Sequence, residues 1–139
     1  MHFRLIRPNA PDFHAHLSLI KPAFSGSDMP KAELEEVKTL VCEGQASFYL
    51  LTGKGIKLWF ISRVDGDRYH IIAMTGRGLV EAANHIIERV IDCGYQSISY
   101  HTYRKGMRRI LDQFGFKQVE QIREFDSKQE TVHQLALRE

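Results

Sequence analysis

Tyr69-His70-Ile71-Ile72-Ala73-Met74-Thr75-Gly76-Arg77-Gly78-Leu79 is the stretch on which the fold turns. Residues 69–74 form a strand-like apolar run. Thr75-Gly76-Arg77-Gly78 reads as a glycine turn. From Leu79 to Cys93 the apolar residues switch to helical spacing, with Leu79, Ala83, Ile86, Ile87 and Val90 on one face and Gly94 placed as a C-terminal cap. Gln96 to His101 follows as a strand. A short helix then carries Met107, Ile110, Leu111 and Phe114 on one side and ends before Gly115-Phe116. Strand, glycine turn, helix and strand in this order offer free backbone N–H groups to a phosphate. The same glycines also suit a plain tight turn from strand to helix, and the local sequence leaves both readings open.

Working outward, His2 to Arg7 alternates apolar and polar and predicts a first strand. Asp12 is placed to cap a helix with Phe13, Leu17, Ile20 and Phe24 on one face. Pro30 suits the first turn of a second helix, striped by Leu34, Val37, Leu40 and Val41 and ended by Gly44. Ala46 to Leu51, Ile56 to Ser62 and Tyr69 to Met74 predict three strands, the last two joined by a tight hairpin at Asp65-Gly66. Phe116 to Phe125 and Glu130 to Leu137 predict two final strands turning at Asp126-Ser127. The order β-α-α-β-β-β-α-β-α-β-β describes an antiparallel meander feeding one parallel, right-handed βαβ crossover. This is an α+β (mixed α/β) fold, with a central, mostly antiparallel sheet and helices on both faces.

The chain has 139 residues and all four of its prolines lie in the first 30 positions. No repeat or linker interrupts it, so one domain is expected. With 43% hydrophobic and 26% charged residues and no apolar run near the ~18 residues of a membrane span, a cytoplasmic globular protein is expected. The first residues carry no apolar stretch of secretory-signal length. The two cysteines, Cys42 and Cys93, fall on predicted apolar helix faces and are expected to be reduced core thiols. A net charge of +2 does not call for a nucleic-acid partner. Arg104, Lys105, Arg108 and Arg109 do form a local basic patch, a solvated helix face or a phosphate contact.

The segment Ile110-Leu111-Asp112-Gln113-Phe114-Gly115-Phe116-Lys117-Gln118-Val119, together with the element order, resembles the GCN5-related N-acetyltransferase (GNAT) family. The resemblance covers nearly the whole chain and is best over residues 69–125. It implies a co-substrate, acetyl-CoA or another acyl-CoA, held between the family's fourth and fifth strands, which splay apart. The pyrophosphate then rests on the N–H groups after the fourth strand. On this chain the implied cofactor-binding residues are Ala73, Met74, Thr75, Gly76, Arg77, Gly78 and Leu79, with Arg104 as a further phosphate contact. The implied activity is transfer of the acyl group to a primary amine on a small molecule or a protein, by proximity and a hydrogen-bonded carbonyl. The layout also resembles small GNAT-like proteins of tailed phages, which implies a second possibility, a catalytically degenerate binding or structural module. A homodimer is the assembly left open.

The sequence departs from the family's pattern at definite places. The family's loop is Arg/Gln-x-x-Gly-x-Gly/Ala; counting from Arg77 puts Val80 at the first required glycine and Ala82 at the second, whereas keeping Gly76 and Gly78 as the two glycines puts Ala73 where Arg or Gln belongs. Counting back from Gly115 puts Leu111 where many members have the tyrosine that protonates the CoA thiolate, and Arg104 where they have an asparagine. Residues 69–74 contain no carboxylate, so His70 is their one titratable group suited to serve as a base. Tyr100 and Tyr103 are candidates for the missing acid, or are aromatic packing at a strand end. His14 and His16, two apart on a helix, point to different sides, and no histidine has a recognised metal spacing, so no metal is expected. A serine-nucleophile turn of the Gly-x-Ser-x-Gly kind is absent. Phe24 to Asp28 is a flexible polar stretch, either a substrate loop or an ordinary connection.

Overall fold

The computed structural model describes residues 1–125 and 128–137. The elements run β1 (His2–Leu5), α1 (Phe13–Ser18), a 3₁₀ turn (Lys21–Phe24), α2 (Pro30–Cys42), β2 (Ser47–Gly53), β3 (Ile56–Asp65), β4 (Arg68–Arg77), α3 (Leu79–Asp92), β5 (Ser97–Thr102), α4 (Lys105–Gln113), β6 (Lys117–Phe125) and β7 (Lys128–Ala136). The predicted order of elements holds throughout. The seven strands form one sheet in the order β1-β2-β3-β4-β5-β7-β6. The β4–β5 pair is parallel, and every other neighbouring pair is antiparallel. The turn expected at Asp126-Ser127 lies outside the described residues.

Alternation along the strands builds two cores, one on each face. Phe48, Leu50 and Ile61 pack under α1, α2 and the 3₁₀ turn with Phe13, Leu17, Ile20, Phe24, Val37 and Val41. Leu51, Leu58, Phe60, Ile71 and Met74 pack under α3 and α4 with Ala82, Ile86, Val90 and Leu111. Each fully buried aliphatic or aromatic side chain of this kind contributes roughly 1.5–3 kcal/mol.

Three expectations are corrected. The helix expected over Phe13 to Phe24 breaks after Ser18 and resumes as the 3₁₀ turn, because Pro22 has no N–H to continue an α-helical ladder. Its four apolar positions are nonetheless all buried. Asp12 makes no capping bond. Its carboxylate instead accepts from Arg4 Nη2 at 3.0 Å and pairs with His16 Nε2 at 3.0 Å. Trp59 Nε1, which can only donate, reaches His16 Nδ1 at 2.9 Å, so the His16 proton sits on Nε2, facing Asp12. Cys42 and Cys93 are exposed rather than in the core, because α2 and α3 end at those residues and turn them outward.

Candidate functional site

The parallel register of β4 and β5 stops at Ile71↔Tyr100, yet β4 continues to Arg77 and β5 to Thr102. From Ile72 onward, the edge of β4 that faces β5 therefore has no strand partner. At the same point β4 carries a β-bulge. Ser62 pairs with Ile71 and Ile61 with Ala73, which leaves Ile72 without a partner on β3. The extra residue puts both Ile72 and Ala73 on the face covered by α1 and α2, while Ile71 and Met74 face α3 and α4. The β4–β5 ladder thus ends where β4 is bulged, which leaves the backbone groups on that edge of β4 without a strand partner.

The glycine turn differs from its sequence reading. Thr75, Gly76 and Arg77 remain strand, paired with Trp59, Leu58 and Lys57, and Gly78 alone connects β4 to α3. The β2–β3 hairpin is long enough to carry the ladder to Arg77, so no separate loop forms. Both glycines are required by packing. A Cβ on Gly76 would lie 2.1 Å from the Lys57 carbonyl oxygen, and one on Gly78 would lie 2.5 Å from the Gly55 carbonyl oxygen. Their φ angles, +126° and +85°, also favour glycine. The tight-turn reading therefore accounts for the glycines themselves.

Free donors remain beside them. Gly78 caps α3 in the left-handed conformation, and the helix ladder begins with Ala82 N–H on the Gly78 carbonyl. The N–H groups of Leu79, Val80 and Glu81 thus have no helical acceptor. Arg77 is exposed beside them and has no ion-pair partner among the described residues. Glu81 is the one acidic residue in this first turn. Ala73 and Met74 are buried in the two cores. Arg104 is committed elsewhere, its guanidinium donating to the Pro22 carbonyl and its backbone N–H to Thr102 Oγ1.

The other predicted residues divide between the two faces of the sheet. Tyr100 lies under α3 and α4, in an apolar cavity of about 30 Å³ that Leu111, Ile71 and Met74 also line. Burial pushes its phenol well above the ordinary tyrosine value. Tyr103 lies on the opposite side and donates to Glu33 Oε1 at 3.0 Å. The loop 24–28 meets it there, since a Cβ on Gly26 would fall 2.5 Å from Tyr103 Cβ. His70 is buried on the Tyr103 side with Nδ1 at 2.6 Å from Ser99 Oγ. Burial, reinforced by Arg63 and Arg68, lowers its pKa to about 4. A base that weak is a poor match for an ammonium near neutral pH.

Two residues that sequence reasoning missed complete this side. His101 Nε2 lies 2.6 Å from Glu130 Oε2, with side chains only 12% and 5% exposed. Both line a cavity of about 370 Å³ beneath α2, together with His70, Ile72, Glu33 and Glu36. Alternation past Tyr100 was the available signal for His101. Glu130 depends on the β5–β7 register, in which Val132 sits opposite His101 and Glu130 is its diagonal neighbour. No cluster of histidine, cysteine and carboxylate groups suited to a metal occurs among the described residues, and none of their helices is long and apolar enough to cross a membrane.

No family model matches the sequence, and no curated protein matches it. Solved structures do match the fold. The ribosomal-protein-S18-alanine N-acetyltransferase of Escherichia coli superposes with a TM-score of 0.65 at 12% identity, covering 99% of this chain and 96% of that one. The aminoglycoside 6'-N-acetyltransferase of Enterococcus faecium gives 0.61 at 11% identity, covering 99% and 97%. An acetyltransferase-like GNAT protein of Desulfovibrio desulfuricans gives 0.60 at 11% identity, covering 98% and 99%. With the seven-stranded order, the single parallel β4–β5 pair and the early end of its ladder, this chain has the fold of the GNAT acetyltransferases.

Proposed function

We propose that the chain is an acyl-CoA-dependent N-acyltransferase that moves an acyl group from a CoA thioester to a primary amine. One observation carries this reading. The β4–β5 ladder ends at the β4 bulge, and the edge of β4 left without a strand partner runs from there to a helix N-terminus whose first N–H groups have no helical acceptor. A thioester held along β4 would find backbone donors for its carbonyl oxygen, and such preorganised donors act most strongly on the charge that develops during reaction. Binding falls to the backbone of Ala73 to Leu79, with Arg77 adding a full charge to the partial charge of the α3 terminus. Arg104 joins only by releasing Pro22. The α3–α4 cavity, about the size of one water, takes no more than a small part of a cofactor as it stands.

Leu111 has no proton to give. Tyr100 shares its cavity and has a hydroxyl proton, but burial raises its pKa and makes it a weaker donor than an ordinary tyrosine. Loss of a general acid costs about 10²–10⁴ in rate without abolishing transfer. The acceptors named for the structural relatives, a protein alanine and an aminoglycoside, are both amines. An amine is the acceptor class proposed here.

Acetyl-CoA at about 100 times its Kd is expected to stabilise the chain by about 2.7 kcal/mol, read as a rise in melting temperature. No rise with millimolar acetyl-CoA or CoA would contradict the proposal. Arg77→Glu is expected to weaken binding roughly tenfold, or about 1.4 kcal/mol, in isothermal titration. Unchanged affinity would remove Arg77 from the site.

A further inference from the structure

We propose that His101, oriented by Glu130, is the base that takes the proton from a cationic acceptor amine in the cavity beneath α2; this rests on the acyltransferase reading above. His101 is the first residue of β5 past its last pair with β4, and it lines the same cavity as the bulged Ile72. Its side chain is therefore at the point where the β4–β5 ladder ends, on the face opposite Tyr100.

The hydrogen bonding fixes its tautomer. A carboxylate only accepts, so the proton of the neutral ring sits on Nε2, facing Glu130 at 2.6 Å. Nδ1 then holds the lone pair, and this buried atom has no partner among the described residues. The Tyr103 ring meets the imidazole edge-on at 5.0 Å and limits its rotation. An imidazole with one nitrogen tied to a buried carboxylate and the other buried without a partner is the arrangement of a general base that a small rotation of the ring or entry of the amine brings into contact. The other buried histidines do not offer it. His70 is bonded to Ser99, and His133 pairs opposite Tyr100, on the α4 side.

The cavity wall selects the acceptor. Glu33 and Glu36 come from α2, Glu120 from β6 and Glu130 from β7. The cations on the wall, Arg63 and Arg68, share the one carboxylate of Asp65, which offsets one of their two charges. Carboxylates outnumber guanidinium groups in this lining, which favours a cationic amine. In the reaction, one ammonium proton passes to His101 Nδ1. The freed nitrogen lone pair attacks the thioester carbonyl carbon, the C–S bond breaks with its electron pair on sulfur, and the excess proton on nitrogen moves to that sulfur. The products are the amide and the CoA thiol, and His101 returns its proton to solvent.

Nitrogen-15 NMR of the full chain's histidines is expected to show His101 as the Nε2–H tautomer near neutral pH; an Nδ1–H signal would overturn the proposal. With acetyl-CoA and spermidine as the probe amine, His101→Gln is expected to lower kcat about 100-fold or more while leaving acetyl-CoA affinity unchanged. With hydroxylamine, which is already largely neutral at that pH, the same change should cost less than about tenfold. Glu130→Gln keeps an acceptor for Nε2–H and guards against a folding artefact; it is expected to lower kcat with spermidine and leave the melting temperature near that of the parent. Equal losses on both amines, no loss on spermidine, or no spermidine turnover with acetyl-CoA binding intact would each overturn the assignment. Failure to bind acetyl-CoA would overturn the acyltransferase reading instead.

Discussion

Gly76→Ala is expected to destabilise the ligand-free chain by about 3 kcal/mol or more. Two costs add. At φ +126° an L side chain is strained whatever the space. The new Cβ would also meet Lys57 O at 2.1 Å and Leu58 Cα at 3.0 Å. These are backbone atoms of the strand paired with Gly76, so they cannot retreat without opening the β3–β4 ladder. Against a total stability of about 5–15 kcal/mol, such a loss is a large fraction. Gly44→Ala is the control. It has φ +76° and open space around its Cβ, so only the conformational cost of about 1 kcal/mol should appear. Urea denaturation of the two variants checks this, and equal losses would show that the contact with β3 is not what requires the glycine.

Acid is expected to remove about 3 kcal/mol of stability through His70 alone. Above its unfolded value of 6.5 the ring is neutral in both states and contributes no pH dependence. Between 6.5 and about 4 the unfolded chain takes up a proton that the folded chain refuses, because burial and then Arg63 and Arg68 oppose the charge. Stability therefore falls as pH falls through that window and stops changing on this account below it. His133, also lowered by burial, acts in the same direction. Replacing His70 by Asn should flatten the dependence. Urea-unfolding free energies measured at the two ends of the window, for parent and variant, give the comparison. Equal slopes would show that His70 is not the group responsible.

The parts of the fold that were legible in the sequence are those set by local chemistry. Helical spacing marked α2, α3 and α4, the Asp65-Gly66 pair marked the β3–β4 hairpin, and one long helical connection marked the parallel crossover. Long-range pairing was not legible. Thr75 to Arg77 look like a loop by composition, but β3 supplies partners for them, so they are strand. The bulge at Ile72 has no local signature, since Ile71 and Ile72 are the same residue type with opposite fates. The candidate site divides in the same way. Gly76, Arg77 and Gly78 could be placed beside a helix terminus from sequence. The His101–Glu130 pair spans two strands whose register is fixed only by the closed sheet. Tyr100 and Tyr103 were grouped by their closeness in sequence, and the sheet places them on opposite faces.

Backbone amide NMR of the full chain during titration with acetyl-CoA tests the central claim most directly. Saturable shifts are expected, concentrated at Ile72 to Leu79 and at the end of β5. Shifts confined to other surfaces, or none at millimolar acetyl-CoA, would contradict it.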